Sequence, residues 1–491
     1  MGDIKQTLLK FTNEQKKELE KIKANYYFYH GAVTDKDKAL LDEILLGQSW
    51  INADDLDYIP SQVIDNKIKP LIHKQARFFL GKEPVLLFKP RDSKDKSTCE
   101  ELRVFIDDIL NGSQFWSETM KAFRLASVTK RVLLRMEANP EEKIRLYYHD
   151  VNDFNYELDP KDSRKLLSVT FVRLKGKIDT TEIWNRYTYK MSKSSDESLE
   201  ETCLLTIEAF NNLDLENPIE TKTIDTKLSK IPCWIMINEQ DLMNKNGKSD
   251  ITDLKPLQNS YNQRLSDFND ALRFLMFGQT VVIDATEETV NACKIAPNAL
   301  MALVSIDGKQ ASAQRVESSF SNAEPVKMFL DILDKSMHEK LSIPTDDRLK
   351  EVPSAKTIKY IYNDLIARSE EKWHDWEPNI RSMLRLLVEA CSKFKCYDNW
   401  NEQWNNLLFS IVLNKNYPIP EDEEDKKRLA IEEVNSNVRS HRSYIKDFSD
   451  NEDYEEHFTE VIQDITTINT AEQDQFLKSI DDEASNCDGD S

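Results

Sequence analysis

Two long amphipathic stretches in the second half of the chain, separated by a short strand-like insert, limit its fold more than any other feature. Leu254, Leu257, Tyr261, Leu265, Phe268, Leu272 and Leu275 recur at steps of three and four, the spacing that lines up one face of an α-helix. Ser249 or Asp250 supplies the N-cap. After Gly278 the pattern changes to QTVVIDA and ALVSI, with a turn at Asp307-Gly308. A second helical stripe, Val326, Phe329, Leu333 and Met337, begins near Ala323. That helix stops at or before Ile343, because Pro344 disfavours helical backbone in the residue before it. A third helix starts near Ser354 and carries Ile358, Ile361, Leu365, Trp373 and Trp376. Pro378 kinks or restarts it, and Ile380, Leu384, Leu387 and Cys391 continue the stripe. Long helices are stabilised mostly by packing an apolar face, so each stripe needs a partner surface.

The first half is organised differently. Helices are predicted over about 13–29, 60–81 and 115–130, with a loop and short helix between the first two reaching Leu45. Gly81, with Pro84 beyond it, stops the second of these, and Pro70 either sits in its first turn or bends it. Between Arg131 and Ile237 the segments VLLRME, KIRLYYH, LLSVTFVRL, EIWNRYTYK and CLLTIEAF are short, β-branched and aromatic, and divided by polar turns. They predict an antiparallel meander. The class is therefore α+β, with the sheet in the first half and no repeat at solenoid spacing.

Charge and composition exclude several functions. Residues 421–491 hold 22 acidic and seven basic side chains, −15 of the net −21, which leaves −6 on the 420 residues before them. A nearly balanced body with an acidic appendage is not the basic surface that grips phosphates. Only 10 glycines occur in 491 residues, too few for repeated glycine-rich nucleotide loops. Gly247-Lys248-Ser249 looks like the end of a Walker A loop, but the glycine required five positions earlier is Leu242, so a loop and helix cap is the better reading. Cys391 and Cys396, the close pair among seven cysteines, have the wrong spacing for a zinc half-site. No HExxH surrounds His338-Glu339 and no GxSxG occurs. No catalytic residue, metal or cofactor is expected. Trp373 and Trp376 read as packing anchors rather than a base-stacking platform. The odd, scattered cysteines suit a reducing cytosol. The N-terminus turns charged before a signal-peptide core forms, and no apolar run approaches the roughly 20 residues that span a bilayer.

The order helix, small insert, helix, loop, long helix resembles the phage portal protein family. The segment KIPCWIMINEQDLMNKNGKSDITDLKPLQNSYNQRLSDFNDALRFL carries the likeness through Pro232, Asn244, Asn246, Ser249-Asp250, Leu257, Tyr261-Asn262 and Ser266-Asp267. NKIKPLIHKQARFFLGKEPVLL is similar to the family's early helix ending in Gly-Lys-x-Pro. SAKTIKYIYNDLIARSEEKWHDWEPNIRSMLRLL resembles its long helix, with Ser354-Ala355 where the family usually has Ser-Gly. The resemblance spans about residues 25–460, and the variant most like it is that of long-tailed phages of Gram-positive hosts.

The resemblance implies a wing over 1–249, stem helices over 250–277 and 323–341, and a small α/β clip over 278–322. It also implies a tunnel loop over 342–353, a long wing helix and return over 354–420, and an acidic helical crown over 421–491. It further implies a dodecameric homo-oligomer at one capsid vertex, assembled in the host cytoplasm. Double-stranded DNA would pass through it without sequence specificity. Its partners would be the terminase large subunit, the head–tail adaptor, and the major capsid and scaffolding proteins, with no membrane. Within the tunnel loop Asp346, Asp347, Arg348 and Lys350 mix both signs, which suits weak, transient contact with passing DNA; some instead pair with neighbouring subunits on an equally good reading. Lys335 and Lys340 on the second stem helix are channel candidates of the same kind. The alternatives are another structural head protein, minor capsid or scaffolding, which would not close into a ring, and a DNA-processing enzyme subunit, which no motif favours.

Overall fold

The computed structural model describes residues 2–31, 60–61, 63–139, 142–162, 165–178, 181–192, 201–276, 280–283, 312–315, 323–345, 355–419, 423–436, 438–448, 457–467 and 470. The chain divides into one unit of Met1–Glu351 with Ile361–Pro418 and a second of Val352–Tyr360 with Ile419–Ser491.

The first unit opens with α1 (Gly2–Leu8) and α2 (Asn13–His30). Thr12 and Gln15 form a reciprocal capping box at the start of α2, and Gly31 closes its end at φ 64°. The loop and short helix expected as far as Leu45 lie outside the described residues. In α3 (Ile68–Leu80) Pro70 falls in the first turn, where a missing N–H costs nothing, and the helix stops before Gly81 as expected. β1 (Val85–Pro90) leads to α4 (Lys96–Gly112), which has no counterpart among the expected elements although Cys99, Leu102, Phe105, Ile106, Ile109 and Leu110 bury one face of it. α5 (Phe115–Thr129) follows.

The region expected to form one meander divides into two sheets. Its strands are β2 (Arg131–Asn139), β3 (Glu142–His149), β4 (Phe154–Leu158), β5 (Leu166–Ile178), β6 (Thr181–Ser192), β7 (Thr202–Asn211), β8 (Glu220–Asp225) and β9 (Cys233–Ile237). β4 to β8 form a continuous antiparallel meander in chain order, while β9 returns to β2 to give the order β3-β2-β9. β2 is buried continuously from Arg131 to Met136, as befits a central strand covered on both faces. In the larger sheet Asn155, Thr170, Thr188, Thr206 and Thr223 stand opposite one another across all five strands. Thr170 Oγ1 lies 3.2 Å from Thr188 Oγ1. Such cross-strand pairs fix register, and the neighbouring row turns Phe171 and Tyr187 into the core, stacked at 4.8 Å.

α6 (Ile251–Met276) and α7 (Ala323–Lys340) are the two amphipathic helices. Of the insert between them, β10 (Thr280–Ile283) and β11 (Ser312–Arg315) are described and pair antiparallel; ALVSI and Asp307-Gly308 lie outside the described residues. α8 (Ala355–Ile361) and α9 (Asn363–Phe394) form the third helical region. Pro378 sits inside α9 without interrupting it, and the break falls at Tyr362 instead. There Tyr362 stacks on Phe78, which stacks in turn on Tyr417. β12 (Phe409–Asn414) pairs with β1, joining segments more than 300 residues apart.

The core of the first unit lies between α3, α4, α5, α9 and the β3-β2-β9 sheet. Phe79 stacks on Phe123 at 4.2 Å and on Trp373 at 4.5 Å, and Trp376 Nε1 donates to Ile237 O at 3.0 Å. Both tryptophans are therefore packing anchors. The second unit holds α10 (Glu423–Asn435), α11 (His441–Phe448) and a helix at 457–467, which together line an apolar groove with Val434, Phe458, Ile462 and Ile465. The acidic runs near 452–456 and beyond 470 lie outside the described residues.

Candidate functional site

The helix pair enters the body at a buried ionic joint. Ser249 Oγ accepts the Ile251 N–H at 3.3 Å and donates to Val128 O at 2.6 Å, so the cap of α6 also ties it to the end of α5. Asp250 N–H donates to Ser127 O at 2.9 Å. The Asp250 carboxylate, wholly buried, faces Lys372 Nζ at 3.0 and 3.1 Å, Arg368 Nη2 at 3.2 Å and Asn238 Nδ2 at 3.1 Å. Gln75, with its amide nitrogen turned to the carboxylate, adds a donor at 3.0 Å. α3, the turn after β9 and α9 thus converge on the residue before α6. Burial works against ionisation of Asp250, but Lys372 and Arg368 outweigh it and hold the acid below its ordinary value. Glu239, paired with Arg368, goes the other way: burial and the neighbouring Asp250 raise it. Asp250 was expected only as a helix cap. Its second role has no local signal, because Lys372 lies 122 residues away.

From Gln258 onward the buried face of α6 is mostly polar. Gln258, Asn262, Ser266 and Asp270 accept the N–H groups of Lys67, Asp65, Val63 and Ser61 at 3.0, 3.1, 2.9 and 3.0–3.1 Å respectively. The geometry is a match of repeats. Four helical residues rise about 6 Å, and two extended residues span about 6.4–6.8 Å, so every fourth side chain meets every second backbone N–H. The apolar stripe behaves differently from expectation: Leu254 and Tyr261 are buried, but Leu257, Leu265 and Phe268 are half-buried and Leu272 is exposed.

α7 buries Leu333 and Met337 while Met328, Phe329 and Ile332 are 61%, 43% and 53% exposed. Its end is firmly made: Leu341 and Ile343 both donate to His338 O, with Ser342 at φ 56° in the left-handed turn that closes a helix. Leu341 and Ile343 are buried, so the root of the following loop is pinned. Lys335 and Lys340 are both exposed on α7. Five residues apart, they stand about 140° from one another around the helix and do not share a face. Asp346, Asp347, Arg348 and Lys350 lie outside the described residues.

Other chemistry has little support among the described residues. Gly247, at φ 78°, packs so closely that a Cβ would stand 2.5 Å from Asn238 O; its N–H goes to Asn244 O and that of Lys248 to Asn238 O. These amides bind the loop itself rather than a phosphate. Burial raises the thiols of Cys391 and Cys396. No group of three or more His, Cys, Asp or Glu among the described residues is placed to hold a metal ion, and no described helix is long and apolar enough to cross a membrane.

The body is thus α+β, with a packed helix pair rooted in it by an ionic joint, two antiparallel strands between those helices in sequence, and a long core helix after them. The profile of the family described as phage portal protein, SPP1 Gp6-like, matches residues 8–485, and the chain belongs to that family. It is a phage portal protein, a subunit of the ring complex at the capsid vertex of the virion through which the genome is packaged, retained and released. The resemblance read from its motifs, including the type of long-tailed phages of Gram-positive hosts, is borne out. No curated protein matches the sequence significantly.

Proposed function

We propose that twelve copies close into a ring whose channel is lined by the stem and tunnel loop. In this reading 1–249 is the wing, α6 and α7 the stem, 278–322 the clip, 342–353 the tunnel loop, 354–420 the long wing helix and return, and 421–491 the acidic crown. The exposed apolar face of α7 is the observation that carries it. Met328, Phe329 and Ile332 stand in a patch that a monomer leaves in water and a ring of neighbours covers. Asp346, Asp347, Arg348 and Lys350 face the channel, with one of Lys335 and Lys340, which do not share a face of α7, as a further contact. Their mixed signs, and the body's near-balanced charge, keep DNA from being held by phosphate neutralisation. The clip receives the terminase large subunit and later the head–tail adaptor, while the wing meets the major capsid and scaffolding proteins during assembly in the host cytoplasm. Native mass spectrometry with negative-stain imaging tests the ring. A closed assembly of about a dozen subunits with a central hole is expected; a monomer or dimer at every concentration and salt would refute it.

A further inference from the structure

The turn between Asn238 and Lys248 presents two large apolar side chains to solvent, Leu242 at 97% and Met243 at 98% exposure. The turn that carries them is rigid. Asp241 Oδ1 accepts the N–H groups of Met243 and Asn244 at 2.7 and 2.6 Å, and Gln240 Nε2 reaches across to Lys245 O at 3.1 Å. Glu239 is paired with Arg368, and Gln240 N–H donates to Asp375 on α9 at 3.3 Å. A stiff turn whose tip is apolar, in a segment that is otherwise polar or charged apart from Gly247, is built to insert into something.

A recess suited to it lies on the same unit. Phe105, Ile109, Ile144 and Leu146 floor an open groove of about 570 Å³ between the end of α4, β3 and Tyr397. Asp108, Lys143 and Arg145 stand exposed at its rim. Tip and groove complement one another in charge as well as polarity: Asp241 flanks the tip on one side and Lys245 on the other, to face Lys143 or Arg145 and Asp108. They are also well separated along α9, the tip near its middle and the groove just past its C-terminal end. The tip is tied to Asp375 and the groove borders Tyr397, just past Phe394, so about 28 Å of helix separates them. A head-to-tail ring requires two different complementary patches, one on each flank of the subunit.

We propose that the Leu242–Met243 tip of each subunit seats in the Phe105–Ile109–Leu146 groove of a neighbouring copy. The inference rests on the ring reading above and names one of its subunit contacts. The test compares the full chain with a Leu242→Ser, Met243→Ser variant by native mass spectrometry over a concentration series, with thermal unfolding of the unassembled subunit alongside. The variant should need at least tenfold more protein to close the ring while its own unfolding is unchanged, since side chains this exposed support nothing within the subunit. In a second arm a photo-reactive phenylalanine analogue at position 242 should cross-link to peptides spanning 105–113 or 143–147 of another copy. Rings closing at unchanged concentration, or cross-links confined to other surfaces, would overturn the contact and leave the ring standing. Failure of the unaltered chain to form any ring would overturn both.

Discussion

Removing Lys372 from the joint at the base of α6 should cost more than any surface change, and restoring charge balance should recover part of the loss. Lys372 and Asp250 have side-chain exposures of 3% and 0%, and Lys372 Nζ also lies 2.6 Å from Asn238 Oδ1. Breaking a buried pair by deleting one partner costs about 3–5 kcal/mol, because the other charge is left without its counter-ion. Lys372→Met leaves Asp250 with Arg368 at 3.2 Å, which places its cost near the lower end, about 3 kcal/mol. Asp250→Asn leaves a buried ammonium whose nearest remaining carboxylate is Glu239 at 3.6 Å, and should cost about 4 kcal/mol. The double variant strands neither charge of this pair, so it should be less destabilised than the sum by about 2–3 kcal/mol. Urea unfolding of the wild type, both single variants and the double measures this, provided the m-values agree. Additivity to within about 0.5 kcal/mol would show that the two groups do not act as a pair and refute the reasoning. The pH dependence has a definite sign. With its folded value depressed, Asp250 contributes fully above its ordinary value of 3.8 and loses that contribution as pH falls through the lower folded value.

Burial, aided by Arg135, Arg173 and Lys5, lowers His149 from 6.5 to about 3, so stability should fall as pH drops below 6.5. By pH 5 the loss is about 2 kcal/mol, and His149→Phe should flatten that part of the pH–stability curve. Asn262→Ala removes the acceptor of the Asp65 N–H and should cost about 1–3 kcal/mol, with faster hydrogen exchange at the Asp65 amide; unchanged exchange would mean that the polar seam does not hold the segment. Gly247→Ala, at φ 78° and against Asn238 O, should destabilise by more than about 1 kcal/mol in the same urea assay.

Much of the scaffold was legible because its signals are local. The stripe of α9, the capping residues before α6, Gly81 after α3 and the break imposed before Pro344 all act within a few residues of where they are read. The sheet region was legible as strands but not as two sheets, since β9 joins β2 across the whole five-stranded meander. β12 and β1 pair over an even longer separation, and no periodicity announces a partner. Pro378 shows the reverse failure. A strong local breaker is overridden where Trp373, Trp376, Ile380 and Leu384 bury both sides of it in one core.

The helix pair divides the two kinds of information most clearly. Sequence alone determined that α6 and α7 are helices, where α6 begins, and that an insert with a strand-like segment separates them from one another. It also carried, in the order of its motifs, the portal family to which the chain belongs. Only the tertiary structure decided which face of α6 is buried. Spacing fixes the phase of each stripe, but a polar stripe can be buried as well as an apolar one when donors meet it. Gln258, Asn262, Ser266 and Asp270 are buried because a segment about 200 residues earlier lays its N–H groups against them at the same pitch. Asp250 ionises in the interior because Lys372 and Arg368 arrive there from α9. Such pairings depend on elements distant in sequence meeting in space, and that meeting is what the fold itself supplies.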